Sequence, residues 1–169
     1  MRLVRAIPWS YIKSWTCFEC GECCKRYVVK LTFREWLNIV HRFGVGVTIS
    51  STTGFYLKRR IDGRCVFLYK ASDRWLCGIQ DMKPIACKLW PFRILKKPKF
   101  GHEDEASFMY RGRRFFIYVD PACRGITWGS PSADFISKTL PEFIDISLGL
   151  RKRQRYSTSP FPCYVRVLI

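Results

Sequence analysis

The chain has 169 residues, the length of one ordinary domain, and its 48% apolar and 16% aromatic content supplies a core and excludes a disordered chain. Thirty Lys and Arg against 13 Asp and Glu leave a net charge of +17, a field that opposes a compact monomer unless an anionic partner neutralises it. No apolar run approaches the ~18 residues of a membrane-spanning helix. Residues 1–9 hold nothing resembling a signal peptide, so a cytoplasmic protein is expected.

In chain order, residues 27–31 read as a short strand. Thr32-Phe33-Arg34-Glu35 has the form of a capping box, with Leu31 and Trp36 placed as a hydrophobic staple. Trp36, Ile39, Val40 and Phe43 give the following helix its apolar face, and Gly44 stops it. Residues 45–63 show no clear period, and Asp62-Gly63 marks a turn. Residues 65–69 and 75–79 are strand-like runs separated by a polar loop, which predicts a hairpin. Residues 83–90 predict one or two helical turns begun by Pro84 and ended by Pro91. Residues 92–95 and 115–119 are further strands joined by a charged loop. Residues 132–150 are helical in pattern but contain Pro141, and Thr139 with Glu142 forms a second capping box, so two consecutive helices are expected. Residues 164–169 predict a terminal strand. The sum is an α+β fold of short strands and a few helices organised around its cysteines. Residues 1–150 form the cysteine-cluster domain and 151–169 a basic extension.

Nine cysteines in a chain expected in the cytoplasm point to metal rather than disulfides. A single Asn (Asn38) and two Gln (Gln80, Gln154) match the composition of heat-adapted proteins, in which intracellular disulfides occur, so S–S bonds remain the alternative. The strongest signal is Cys17-Phe18-Glu19-Cys20-Gly21-Glu22-Cys23-Cys24. The turn inside each CxxC aims two sulfurs to one side, and Gly21 supplies the conformational freedom that turn needs. Thiolates crowded this closely repel one another unless a cation binds them. Adjacent Cys23 and Cys24 do not easily share one small ion, so they serve two sites or one is a bystander. Cys65, Cys77, Cys87 and Cys123 recur in apolar or turn-rich surroundings and are expected to converge on the first four. Cys163 stands outside the pattern. CxxCxxC is the spacing of [4Fe–4S] ligation, whereas zinc more often pairs two distant CxxC units. Two four-cysteine zinc sites also fit the count, and iron–sulfur is favoured by a narrow margin. His41 and His102 are expected at the surface.

Several of these blocks occur in a recognisable order. Cys17-x-x-Cys20-Gly21-x-Cys23-Cys24 is followed by Cys65-Val66-Phe67-Leu68, Cys77-Gly78-Ile79 and Lys83-Pro84-x-x-Cys87-Lys88-Leu89-x-Pro91-Phe92. Over residues 14–130 the chain resembles the YkgJ-like cysteine-cluster family, and Asp120-Pro121-x-Cys123-Arg124-Gly125-Ile126 looks like the usual last cysteine segment of that family. The family is described as a zinc- or iron-chelating domain and is often labelled an iron–sulfur protein. The resemblance implies a metal-binding scaffold and no settled reaction.

Sequence motifs give little support to catalysis. The radical-SAM spacing CxxxCxxC, the phosphate loop GxxxxGK[ST] and GxGxxG are absent, and two histidines leave no Ser-His-Asp constellation to propose. Some flagellin lysine methylases resemble the family in their cysteine cluster, so an iron–sulfur redox or methyl-transfer enzyme is the competing reading. The charge is concentrated instead. Residues 88–114 hold eight basic and three acidic side chains, and residues 151–169 hold five basic and none acidic. Lys96, Lys97 and Lys99, then Arg111, Arg113 and Arg114, then Arg151, Lys152, Arg153 and Arg155 are the candidate RNA contacts, because arginine pairs phosphate bidentately and neighbouring aromatics stack on unpaired bases. A smaller patch is Tyr11-x-Lys13-x-Trp15. The expected function is non-enzymatic binding of structured RNA by a metal-cluster protein, most sharply as a ribosome-associated or ribosomal protein. DNA is the second partner and a membrane surface the third.

Overall fold

The computed structural model describes residues 6–156. Two short strands open it, β1 (Ile7–Pro8) and β2 (Ile12–Trp15), followed by the cysteine loop and helix α1 (Glu22–Arg26). Strand β3 (Lys30–Leu31) leads into α2 (Phe33–Phe43), whose start carries the expected capping box: the Glu35 N–H donates to the Thr32 hydroxyl and the Thr32 N–H to the Glu35 carboxylate. Gly44 ends that helix. The ambiguous stretch is a hairpin of β4 (Thr48–Ser51) and β5 (Gly54–Leu57), with β3 on the other side of β5. The predicted second hairpin is β6 (Leu68–Ala71) and β7 (Arg74–Cys77), in register from Leu68 opposite Cys77 to Ala71 opposite Arg74.

Helix α3 (Ile85–Leu89) follows Pro84 and stops at Trp90-Pro91. Then come β8 (Phe92–Leu95), α4 (Glu103–Ala106), β9 (Ser107–Tyr110), β10 (Arg113–Val119) and β11 (Ile126–Trp128). The charged loop thus contains a helix and a strand that its polarity conceals. β10 pairs antiparallel with β8 along one edge and with β9 and then β1 along the other, while β11 pairs with β2. A π-helical turn (Phe135–Thr139) runs directly into α5 (Leu140–Ser147).

The apolar residues divide between two main cores. Trp15, Phe92, Phe115, Ile117, Val119, Phe143 and their neighbours form the first, with the Trp15 ring edge-on to Phe92 at 5.6 Å and to Phe143 at 5.4 Å. Val29, Leu31, Ile39, Leu57, Cys65, Leu68 and Ile79 form the second. Strand β10 is buried on both faces, because Phe116 and Tyr118 point away from the first core into a small third cluster with Ala6 and Ala106. That explains why its sequence is a continuous apolar run rather than an alternating one.

Three expectations need correction. The strand foreseen at residues 27–31 is confined to Lys30–Leu31, paired with Tyr56 and Phe55 of β5, and Val29 adds only its carbonyl, which accepts the Leu57 N–H. The two helices foreseen in 132–150 are one continuous helical segment. Thr139 makes no side-chain cap there, and Pro141 follows directly on the π-helical turn, the irregularity that accommodates a proline inside the segment. Glu142 has other partners. Its buried carboxylate accepts the N–H groups of Arg155 and Tyr156 and pairs with Arg151 at 3.4 Å. Gln154 Nε2 donates to the Lys88 carbonyl, so residues 151–156 are strapped across α5 to α3. The terminal strand foreseen at 164–169, and Cys163, lie outside the described residues.

Replacing a buried, paired carboxylate by an amide weakens every one of these bonds at once. Glu142→Gln is expected to lower unfolding stability by about 2 kcal/mol in urea titrations. Tryptic cleavage at Arg151–Arg153 is expected to accelerate, whereas an unchanged cleavage rate would contradict the strap.

Candidate metal centre

Each cysteine is placed by an identifiable local device. After β2, Glu19 and Gly21 both take positive φ (52° and 70°), which turns the loop between Cys17 and Cys23. Only glycine fits at position 21, because a Cβ there would sit 2.9 Å from the Trp75 Cβ. The loop is held down from the second hairpin by the Trp75 N–H donating to the Glu19 carbonyl and by Arg74 paired with the Glu19 carboxylate at 3.6 Å. Cys23 and Cys24 lie in α1. The Cys65 N–H donates to the Cys24 carbonyl at 2.9 Å, and the Arg59 guanidinium donates to the Lys25 carbonyl, which locks Cys65 beside the helix. Cys77 ends β7. Cys87 lies in α3, whose first N–H, from Ile85, donates to Glu35 Oε1 at 2.7 Å. Glu35 therefore caps its own helix and orients the one that carries Cys87.

Cys123 reaches the group from the opposite side. An Asp120 carboxylate accepts the Ala122 N–H, and the Cys123 N–H donates to the Asp120 carbonyl, forming a tight turn after β10. The chain then passes so close to the N-terminal loop that a Cβ on Gly125 would sit 1.9 Å from the Thr16 carbonyl oxygen. That approach puts Cys123 within reach of Cys17 and Cys20, whose charges raise its pKa after the larger effect of burial. The Trp15 indole donates to Cys123 Sγ at 3.3 Å and works the other way.

The cysteines thus line the seam between the two cores. Cys17 and Cys123 pack against the first; Cys24, Cys65, Cys77 and Cys87 pack in the second. Cys23 is their electrostatic centre. Its Sγ lies 3.8 Å from that of Cys24, and the hydrogen bond between them lowers the Cys23 pKa to about 6, helped by Lys83, while burial opposes it. Cys24 keeps the proton: that hydrogen bond, then burial and the Cys23 charge, push its thiol far up. Burial also raises Cys17, Cys65, Cys77 and Cys87, each raised further by the charge on Cys23. Lys83 is the cation among them. Burial would depress its ammonium, but Cys77, Cys87, Cys23 and Cys17 outweigh burial and raise it.

The chemistry of this donor set fits zinc or iron. Eight thiol sulfurs, none joined to another, gather in one region with a half-buried lysine and no histidine. They ring that region loosely. Among the described residues, no three Cys, His, Asp or Glu side chains converge on a single point at ligation distance. His41 and His102 are exposed as expected, with His102 paired to Glu105 at 3.7 Å. Three contributors were hidden in the sequence. Lys83 and Gly125 are ordinary residues inside the motifs, and nothing in the pattern marks one as a counter-charge or the other as a close approach. Trp15, expected in a small patch with Tyr11 and Lys13, is instead buried in the first core with its indole on Cys123.

The basic candidates divide into three groups. Arg111 pairs with Asp145 at 3.7 Å and Arg151 with Glu142, so both hold α5. Lys96, Arg113 and Arg114 meet around a hollow of about 270 Å³ with Phe115 and Leu148, and none of the three has an acidic partner among the described residues. Lys97, Lys99, Lys152, Arg153 and Arg155 are exposed.

A depressed pKa means the charged form is favoured and persists until pH falls through the folded value. In metal-free protein, ultraviolet thiolate absorbance is therefore expected to show one group ionising near pH 6. Cys23→Ala is expected to abolish that step, and a first step near the ordinary thiol value of 9.0 would contradict the assignment.

No curated protein and no solved structure matches the chain. No helix among the described residues is long and apolar enough to cross a membrane. A family model does match, over residues 16–124, a span that begins beside Cys17 and closes just past Cys123. On that match the chain belongs to the family described as "CxxCxxCC: Putative zinc- or iron-chelating domain".

Proposed function

We propose that this protein binds structured RNA through its basic face, while metal held by Cys17, Cys20, Cys23, Cys24, Cys65, Cys77, Cys87 and Cys123 clamps its two cores together. The observation that carries the RNA reading is the hollow lined by Lys96, Arg113 and Arg114. These cations come from two separate segments and lie together without acidic partners among the described residues. A mutual repulsion of this kind costs stability, and phosphate offsets it. Arg111 and Arg151 serve the fold first, so the RNA contacts are assigned to Lys96, Lys97, Lys99, Arg113, Arg114, Lys152, Arg153 and Arg155. A ribosomal or ribosome-bound setting is the sharpest form of the reading, because a net charge of +17 suits a dense phosphate environment.

For the metal, the spacing of Cys17, Cys20 and Cys23 favours an iron–sulfur cluster. Bound metal would supply the positive charge that lets these half-buried thiols ionise. The protein's own part is to aim the sulfurs, exclude water with two apolar cores and hold Lys83 as an auxiliary cation.

Two tests follow. Anaerobically purified protein is expected to contain iron and absorb visible light, and Ser at Cys17, Cys20 or Cys23 is expected to release metal and lower the melting temperature. Full metal content in all three variants would contradict the ligand set. Co-sedimentation with ribosomes is expected at low salt and to weaken steeply as salt rises, with a log–log slope of about 0.7–0.9 for each phosphate neutralised. Lys96→Glu/Arg113→Glu/Arg114→Glu is expected to reduce that slope by about 2–3, alike for all RNA sequences. Turnover of a small molecule without any RNA association would favour the redox or methyl-transfer reading.

A further inference from the structure

A cleft of about 610 Å³ opens beside the metal region, where α3 turns into β8. Its size falls within the range of small-ligand sites. Aromatic rings wall it: Tyr27, directly after α1, and Trp90, directly after α3, have centroids 5.4 Å apart and tilted by 49°, with Phe100 also on the lining. Cations rim it. Lys30 and Lys99 are exposed, with no acidic partner among the described residues, and the Lys99 ammonium lies 5.9 Å from the Phe100 ring centre. The Arg93 guanidinium lies 5.3 Å from the same ring centre and 3.8 Å from Asp120. One carboxylate, Glu35, lines the cleft, but its oxygens already accept from the Thr32 N–H and hydroxyl and from the Ile85 N–H.

An occupant must therefore present a flat apolar face to the rings and negative charge to the two lysines. A nucleotide does both, its base against Trp90 or Phe100 and its phosphate beside Lys30 or Lys99. A base inside a duplex has both faces covered by its neighbours and cannot enter. The cleft and the basic hollow draw on neighbouring positions of the chain. Leu95 lines the cleft and the next residue, Lys96, lines the hollow.

We propose that this cleft takes one unpaired nucleotide of a bound RNA, making it the position that distinguishes single-stranded from paired segments. The proposal rests on the RNA reading above and specifies where an exposed base goes. Its test uses the full, metal-loaded chain and two fluorescein-labelled probes at low salt, decauridylate and a blunt RNA duplex of similar length. The variant is Lys30→Glu/Lys99→Glu, both exposed, with metal content and circular dichroism as checks on folding. Decauridylate affinity is expected to fall about tenfold or more and duplex affinity by only about threefold, the part Lys99 plays as a general phosphate contact. The tryptophan quenching that accompanies decauridylate binding is expected to disappear in Trp90→Phe. The hollow variant Lys96→Glu/Arg113→Glu/Arg114→Glu is expected to weaken both probes alike. If Lys30→Glu/Lys99→Glu binds decauridylate as the parent does while the hollow variant fails to bind both probes, the RNA reading stands and the cleft assignment is overturned. If the parent binds neither probe, the RNA reading fails and the cleft assignment falls with it.

Discussion

Sulfur atoms gathered between apolar walls cannot all ionise, and most of this structure is arranged around that constraint. Burial raises Cys17, Cys65, Cys77, Cys87 and Cys123, and Cys23 escapes by taking a hydrogen bond from Cys24 and facing Lys83. One negative charge and one positive charge thus meet in a region built for more of both. A metal ion supplies the missing positive charge, and the family to which the chain belongs is one of metal chelators. The two apolar cores meet at these sulfurs, so the same ligation that settles the charge would also hold the cores in register.

Much of this was legible in the sequence, and the reasons differ from element to element. The capping box at Thr32 and Glu35, the hairpin ending at Cys77 and the turns after Pro84 depend on neighbouring residues, so local pattern reveals them. The cysteine spacing and the family resemblance depend on order along the chain and were equally visible. Contacts between distant segments were not. Glu142 looks like a capping residue, yet it is buried against the Arg155 and Tyr156 N–H groups, which no local rule connects to it. Gly125 reveals its purpose only when Thr16 is seen against it. Arg111 and Arg151 belong to charge runs that read as free, and only the placement of Asp145 and Glu142 shows them engaged.

The basic face and the metal region are linked through shared elements. Helix α3 carries Cys87 and leads through Trp90 into β8, whose far end passes from the cleft to the cationic hollow. Glu35 fixes the start of α3 from α2, and Gln154 fixes its end from the strap over α5. A short run of chain from α3 into β8 therefore separates the cysteine region from the surface that is proposed to meet RNA.

If metal at the seam joins the two cores, removing it should loosen both sides of the seam at once. The most direct measurement is amide hydrogen exchange on the metal-loaded protein before and after chelation. Faster exchange is expected after chelation in α1, in β6–β7 and in α3 on one side of the seam, and around residues 121–126 on the other. The centres of β10 and α5 are expected to remain protected. Unchanged exchange on both sides, with metal demonstrably removed, would contradict the account.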